Sequence, residues 1–221
     1  MLKEGDIHFK INGEEFNSVL PGEYNVYNAL GAVGAMSILG ISNESIRKGL
    51  LDVVVPGRCE RIGYKYDIPY DIIIDFAHTP DGLKNILETL KGFTKNRLIA
   101  VYGCGGDRDK VKRAELGRIG TELADLAIIT SDNPREEDPM AIIKEIVAGI
   151  TKSNYLAIEN RVEAIKLALG MAEEGDVVVL AGKGHENYQI TNEGVIHFDE
   201  REVVDLSLIH ISEPTRRRGI S

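Results

Sequence analysis

Apolar and polar residues alternate over Ile7 to Ile11 and again over Glu15 to Val19, around Asn12-Gly13, which predicts a hairpin with a type I′ turn. Pro21-Gly22-Glu23-Tyr24 then leads into Asn25 to Leu39, alanine-rich and apolar at helical spacing and closed by Gly40. Ser42 follows as the predicted cap of a shorter helix to about Leu51. A hairpin and two helices of this size bury little, so residues 1–57 are expected to be the end of a larger domain whose beginning is absent. Pro56-Gly57-Arg58 is the natural boundary.

From Glu60 the period changes. A short strand near Arg61 to Tyr66 precedes the buried run Ile72-Ile73-Ile74-Asp75, and strands are then expected at Arg97 to Tyr102, Leu126 to Thr130, Tyr155 to Ile158 and Asp176 to Ala181. Between them, helical spacing covers Pro80 to Leu90, Lys110 to Ala124, Pro139 to Ile150 and Arg161 to Ala172. Thr79 stands as the N-cap of the first of these and Gly92 lies beyond its end. Strands separated by helices of this length predict an α/β fold, a mostly parallel sheet with helices on both faces, over residues 58–206. Gln189-Ile190 and Val195 to Phe198 around Asn192-Glu193-Gly194 predict a closing antiparallel hairpin, and Asp199 should cap a last helix to about Leu206. Residues 207–221 carry no sustained period and end near a basic run, Arg216-Arg217-Arg218, so they are expected to be a disordered or non-native tail.

Composition narrows the function classes. The 221 residues carry 35 acidic against 26 basic side chains, a formal net charge of −9, and the body holds no basic cluster. A nucleic-acid partner is therefore disfavoured. No apolar run reaches the roughly 18 residues of a membrane span, and the first residues lack the basic and apolar regions of a signal peptide, so a cytoplasmic protein is expected. Cys59 and Cys104 are far apart and outside any Cys-x-x-Cys pattern, which argues against zinc or a disulfide framework.

The chemistry lies in four loops. Asp132-Asn133-Pro134-Arg135 follows an apolar strand and precedes a helix announced by Asp138 and Pro139. It presents a carboxylate, an amide and a guanidinium on a turn fixed by proline, a set suited to a zwitterionic, amino-acid-like ligand. Asp75-Phe76-Ala77-His78-Thr79-Pro80 puts an imidazole just before a helix N-terminus, where a phosphate is favoured. In Gly103-Cys104-Gly105-Gly106-Asp107-Arg108-Asp109 the glycines allow backbone N–H groups to approach a ligand, and Arg108, Lys112 and Arg113 supply positive charge opposite an anion. Ala181-Gly182-Lys183-Gly184-His185-Glu186 opens space beside a strand end and offers the Glu186 carboxylate to an ammonium group. Each loop alone also fits an ordinary turn or cap. Parallel strands bring their C-terminal ends to one rim, so the four are expected to converge.

Together with Pro56-Gly57-Arg58-Cys59-Glu60, these motifs occur in the order seen in the Mur ligases, and they resemble most closely the type that adds meso-2,6-diaminopimelate. The resemblance covers Met1 to Leu206. It implies a Rossmann-like C-terminal domain at 58–206 preceded by the last part of the central ATPase domain. It also implies an ADP-forming ligation in which ATP with Mg²⁺ activates the glutamate carboxylate of UDP-MurNAc-L-Ala-D-Glu for attack by diaminopimelate. By matching motif positions, Arg58 and His78 would touch the nucleotide, helped by Asn28 in Asn25-x-x-Asn28. Arg108, Asp132, Asn133, Pro134, Arg135, Gly182 and Glu186 would hold diaminopimelate. The family's P-loop, Gly-x-x-x-x-Gly-Lys-Ser/Thr, occurs nowhere in the sequence. The chain is thus expected to be a fragment, inactive alone. A sibling ligase that adds lysine and a non-catalytic amino-acid-binding module are the alternatives.

Overall fold

The computed structural model describes residues 7–212, with side chains through 209. The chain divides into two compact units, Met1–Val55 and Pro56–Ser221. In the first, β1 (Ile7–Ile11) and β2 (Glu14–Ser18) pair antiparallel around Asn12 and Gly13, whose φ angles of 51° and 85° are those of a type I′ turn. Helices α1 (Glu23–Ile38) and α2 (Asn43–Asp52) follow, α2 capped by Ser42, whose hydroxyl accepts from Ser45 N. Among the described residues the core cluster of this unit gathers Phe16, Val33 and Ile46 with Phe9, Ile11 and Leu50 against them, in keeping with the small burial expected of these elements.

The second unit is built on a six-stranded sheet of β3 (Glu60–Ile62), β4 (Asp71–Asp75), β5 (Leu98–Tyr102), β6 (Leu126–Ile129), β7 (Tyr155–Ala157) and β8 (Val177–Ala181). Its spatial order is β3-β4-β8-β5-β6-β7. Every neighbouring pair is parallel except β3 with β4. All residues of β5 and β8 are buried, as strands covered on both faces require. Side chains alternate between the two faces. Ile72, Ile74, Ile99, Val101, Ile128, Val178 and Leu180 pack with α6 (Arg161–Met171) and α7 (Glu200–Ser212). The opposite face carries α3 (Pro80–Lys91), α4 (Val111–Leu123) and α5 (Pro139–Val147), which contact one another in series. The expected caps are in place, Thr79 accepting from Gly82 N and Asp138 from Met140 N, and the structure adds Asn160, which accepts from Glu163 N. The last hairpin pairs β9 (Tyr188–Thr191) with β10 (Gly194–His197). Among the described residues no helix is long and apolar enough to cross a membrane.

Two elements differ from expectation. The strand near Arg61 to Tyr66 stops at Ile62, because Gly63 turns the chain at a φ of 73° and its carbonyl accepts from Tyr66 N. The tail expected from Ser207 on instead continues α7 to Ser212. Leu208 lies one turn beyond Val204 on the face that packs against the sheet, where both are buried, and Ser207 returns its hydroxyl to the Val203 carbonyl. The last part of that tail, 213–221, lies outside the described residues. Leu208→Ala is therefore expected to cost about 2–5 kcal/mol, as for other large-to-small changes in a packed core. Denaturant unfolding of the two proteins checks this.

Candidate functional site

All four loops leave C-terminal ends of parallel strands (β4, β5, β6 and β8), so the sheet delivers them to one rim. On the β4 side, the Asp75 carboxylate accepts from Cys59 N at 2.7 Å and from Ala77 N at 2.8 Å, which ties the Pro56-Gly57-Arg58 turn to the strand end. Burial pushes the Asp75 carboxyl up, against the pull of these two N–H groups and the Arg58 guanidinium. Arg58 lies over the Phe76 ring at 5.0 Å, and the rings of His78 and His185 approach the same ring at 4.8 and 5.3 Å. Both Arg58 and His78 are exposed there, so two cation-capable groups flank one aromatic face, an arrangement open to a phosphate. The neighbouring Cys59 thiol is pushed up to about 12 by burial and then by Asp75, so it stays protonated and unreactive.

The β6 and β8 loops close on each other through a triangle of side chains. Lys183 Nζ donates to Asn133 Oδ1 and to Glu186 Oε2, each at 3.0 Å, while Asn133 Nδ2 donates to the same Glu186 oxygen at 3.0 Å. Asn133 Oδ1 also accepts from Ile190 N, and Gln189 Nε2 donates to the Asp132 carbonyl, so the last hairpin is stitched to the turn as well. Asp132, Asn133 and Pro134 are buried. Gly182 is required where it stands: its φ is 119°, and a Cβ there would lie 2.7 Å from Asp132 Oδ2.

Arg135 joins the β6 loop to the glycine loop. Its Nη1 donates to Gly106 O at 2.8 Å and to Asn133 O at 3.3 Å. Among the described residues Nε and Nη2 of this guanidinium have no hydrogen-bond partner. Its backbone holds a φ of 55°, an uncommon conformation for a residue with a Cβ. Gly106 fits against this turn only without a side chain, since a Cβ would sit 1.9 Å from Pro134 O. Arg108 is exposed in the same glycine loop.

Arg113, expected to face an anion, is instead fully buried. It bonds both oxygens of Glu137 and one of Glu145. Glu137 accepts Asp107 N in addition, so this pair holds the glycine loop against the β6 loop. Two further buried groups escaped the sequence reading: Arg161, which donates to Ser131 O, Ala181 O and Glu200 Oε1, and Glu200 itself. Each stands in the first turn of its helix, α6 or α7, the one local signal they carry.

Of the residues named from sequence, Asp132, Asn133, Pro134, Arg135, Gly182 and Glu186 are thus brought into one cluster, with Arg108 in the adjoining loop. Arg58 and His78 meet at Phe76. Asn28 belongs to the first unit, exposed on α1, and its amide donates to Asn25 Oδ1. Among the described residues no group of three or more His, Cys, Asp or Glu could hold a metal ion. The magnesium implied by the resemblance finds no ligand set in them.

A family model described as "Mur ligase, glutamate ligase domain" matches residues 57–184. Two similar proteins are both named UDP-N-acetylmuramoyl-L-alanyl-D-glutamate--2,6-diaminopimelate ligase. The one from Clostridium perfringens is 59% identical over 199 residues, covering 89% of this chain and 41% of its own length. The one from Clostridium tetani is 57% identical over 202 residues, covering 91% and 42%. A solved structure bearing the same name superposes with a TM-score of 0.68 at 38% identity, over 90% of this chain and 41% of that one. The chain spans about two fifths of the length of these curated relatives.

The pairing of Arg113 with Glu137 generates a pH prediction. Hydrogen bonds from Arg113, then from Asp107 N and Lys110, hold the Glu137 carboxyl well below its ordinary value of 4.5. A carboxyl depressed by folding stabilises the native state above its unfolded value and loses that contribution as pH falls toward its folded one. Glu137→Gln should therefore lower the melting temperature at about pH 7, and the gap from wild type should hold down to the ordinary value of 4.5 and shrink below it. Melts across that range check it.

Proposed function

The chain belongs to the Mur ligase family, through its glutamate ligase domain, and from that premise we propose that it is the amino-acid-binding part of an ATP-dependent, ADP-forming ligase. In that ligase meso-2,6-diaminopimelate is added to UDP-MurNAc-L-Ala-D-Glu. The observation that carries the reading is the junction of the Asp132 to Arg135 turn with the Gly182 to Glu186 loop. It gathers carboxylates and a guanidinium with unused N–H groups at the rim of a parallel sheet, where α/β folds bind ligands.

Diaminopimelate carries two carboxylates and two ammonium groups. Arg135 has Nη1 anchored on loop carbonyls, and the remaining N–H groups of its planar fork suit a distal carboxylate. Arg108 suits the other carboxylate. Asp132 and Glu186 suit an ammonium group, Asn133 and Gly182 shape the floor between them, and Pro134 fixes the turn. Arg58 and His78 would touch the nucleotide phosphates beside Phe76. ATP, when bound, supplies the phosphoryl group that turns an unreactive carboxylate into an acyl phosphate. The amine then attacks the acyl carbon, inorganic phosphate leaves, and the amine proton passes to solvent. This chain's residues contribute by orienting the amine and neutralising the carboxylates of the incoming amino acid. The cytoplasm is the compartment this reading implies.

Arg135→Ala in the complete ligase tests the assignment. Losing one partner of a desolvated charge pair costs on the order of 2–5 kcal/mol, roughly 30-fold to several-thousand-fold in kcat/KM. That loss should fall on diaminopimelate, with the KM for ATP nearly unchanged. L-Lysine has no distal carboxylate, so its use should change little and the preference ratio should move toward lysine. Equal losses for both amino acids, or an effect on ATP alone, would sink the assignment.

A further inference from the structure

Lys183 is an unusual residue for a loop. Its side chain is fully buried, and its ammonium lies 5.7 Å from the centroids of both the Tyr188 and the Phe198 rings. Desolvating an ammonium group is expensive unless it is paired and hydrogen-bonded, and here the pairing is with two side chains already placed in the amino-acid site. Nζ reaches Asn133 Oδ1 and Glu186 Oε2, both at 3.0 Å.

The consequences for those two residues differ. Asn133 has both ends of its amide committed: Oδ1 takes Lys183 and Ile190 N, and Nδ2 gives to Glu186, so the amide has a single orientation. Glu186 has one oxygen held by two donors, Lys183 and Asn133, and its side chain keeps 16% of its surface exposed. The other oxygen, Oε1, is the one left for a ligand. Without Lys183, two acceptors, Asn133 Oδ1 and Glu186 Oε2, would lose their shared cation in a buried setting, and the carboxylate would swing toward water.

Given the amino-acid-binding role proposed above, we propose that Lys183 is a positioning residue. Its buried ammonium locks Asn133 and Glu186 together, so that one carboxylate oxygen of Glu186 is fixed toward the ammonium of the incoming amino acid. It acts on that substrate alone and leaves the nucleotide end of the rim, at Arg58, Phe76 and His78, untouched.

The test is steady-state kinetics of the complete ligase carrying Lys183→Met, which keeps the length and removes the charge. The KM for diaminopimelate should rise at least about 30-fold, while kcat and the KM for ATP stay within about threefold. A role confined to stability would reduce the active fraction instead, lowering kcat with KM unchanged, and that outcome overturns the proposal. If the single variant does not fold, Lys183→Gln takes its place, since its shorter amide removes the charge yet leaves a donor in the buried setting while Glu186 stays intact. The same rise in KM is expected, and an unchanged KM overturns the proposal. Should the wild-type ligase use an amino acid other than diaminopimelate, the substrate assignment fails by itself. The KM split for the amino acid it does use still decides the role of Lys183.

Discussion

The rim depends on one buried guanidinium. Arg161, at the start of α6, is shut off from solvent and donates to Ser131 O just beyond β6 and to Ala181 O at the end of β8. Its charge is matched by Glu200 at the start of α7, which is also buried. These are the two strand ends from which the Asp132 to Arg135 turn and the Gly182 to Glu186 loop spring. Removing either partner would strand a charge in the interior, which costs far more than a surface pair contributes. Such a pair adds little net stability, but here it ties the end of β8 to the residue before the Asp132 turn, next to the loops in which Lys183 meets Asn133. Among the described residues Glu200 Oε2 has no hydrogen-bond partner, so the pairing is not complete, a local cost carried by the surrounding core.

Around that clamp the loops are held by close backbone approach and by buried ion pairs of their own. Gly106 abuts Pro134, Gly182 abuts Asp132, and Arg135 keeps a left-handed backbone between them. Such conformations persist only where neighbours over-determine them, and they concentrate where a site must be preformed. Arg113 with Glu137 supplies the same rigidity on the glycine-loop side, and Asp75 does so at the end of the rim that carries Arg58 and His78. The result is a rim whose polar groups are largely oriented before any ligand arrives, which lowers the cost of ordering them on binding.

Much of this was legible in the sequence because the signals are local. Strand length, the Asn12-Gly13 turn, the caps Ser42, Thr79 and Asp138, and the run of strands and helices are all written in neighbouring residues. The convergence of the four loops follows from parallel topology alone. The unread features are long-range or disguised. Arg113, Arg161 and Lys183 look like surface charges in a linear pattern, and only the partners brought to them by folding, 24, 39 and 50 residues away, account for their burial. Leu208 was hidden for the opposite reason: it sits in a stretch with no sustained period, yet falls one helical turn after Val204 on the core face.

The claim that this rim binds a dicarboxylic amino acid is tested most directly by mapping amide chemical-shift changes on the complete ligase, saturated with nucleotide, as meso-2,6-diaminopimelate is added. The account predicts that the changes concentrate in the glycine loop around Arg108, the turn from Asp132 to Arg135 and the loop from Gly182 to Gln189, and that L-lysine leaves Arg135 nearly unmoved. Changes confined to other surfaces, or an identical response of Arg135 to both amino acids, would contradict it.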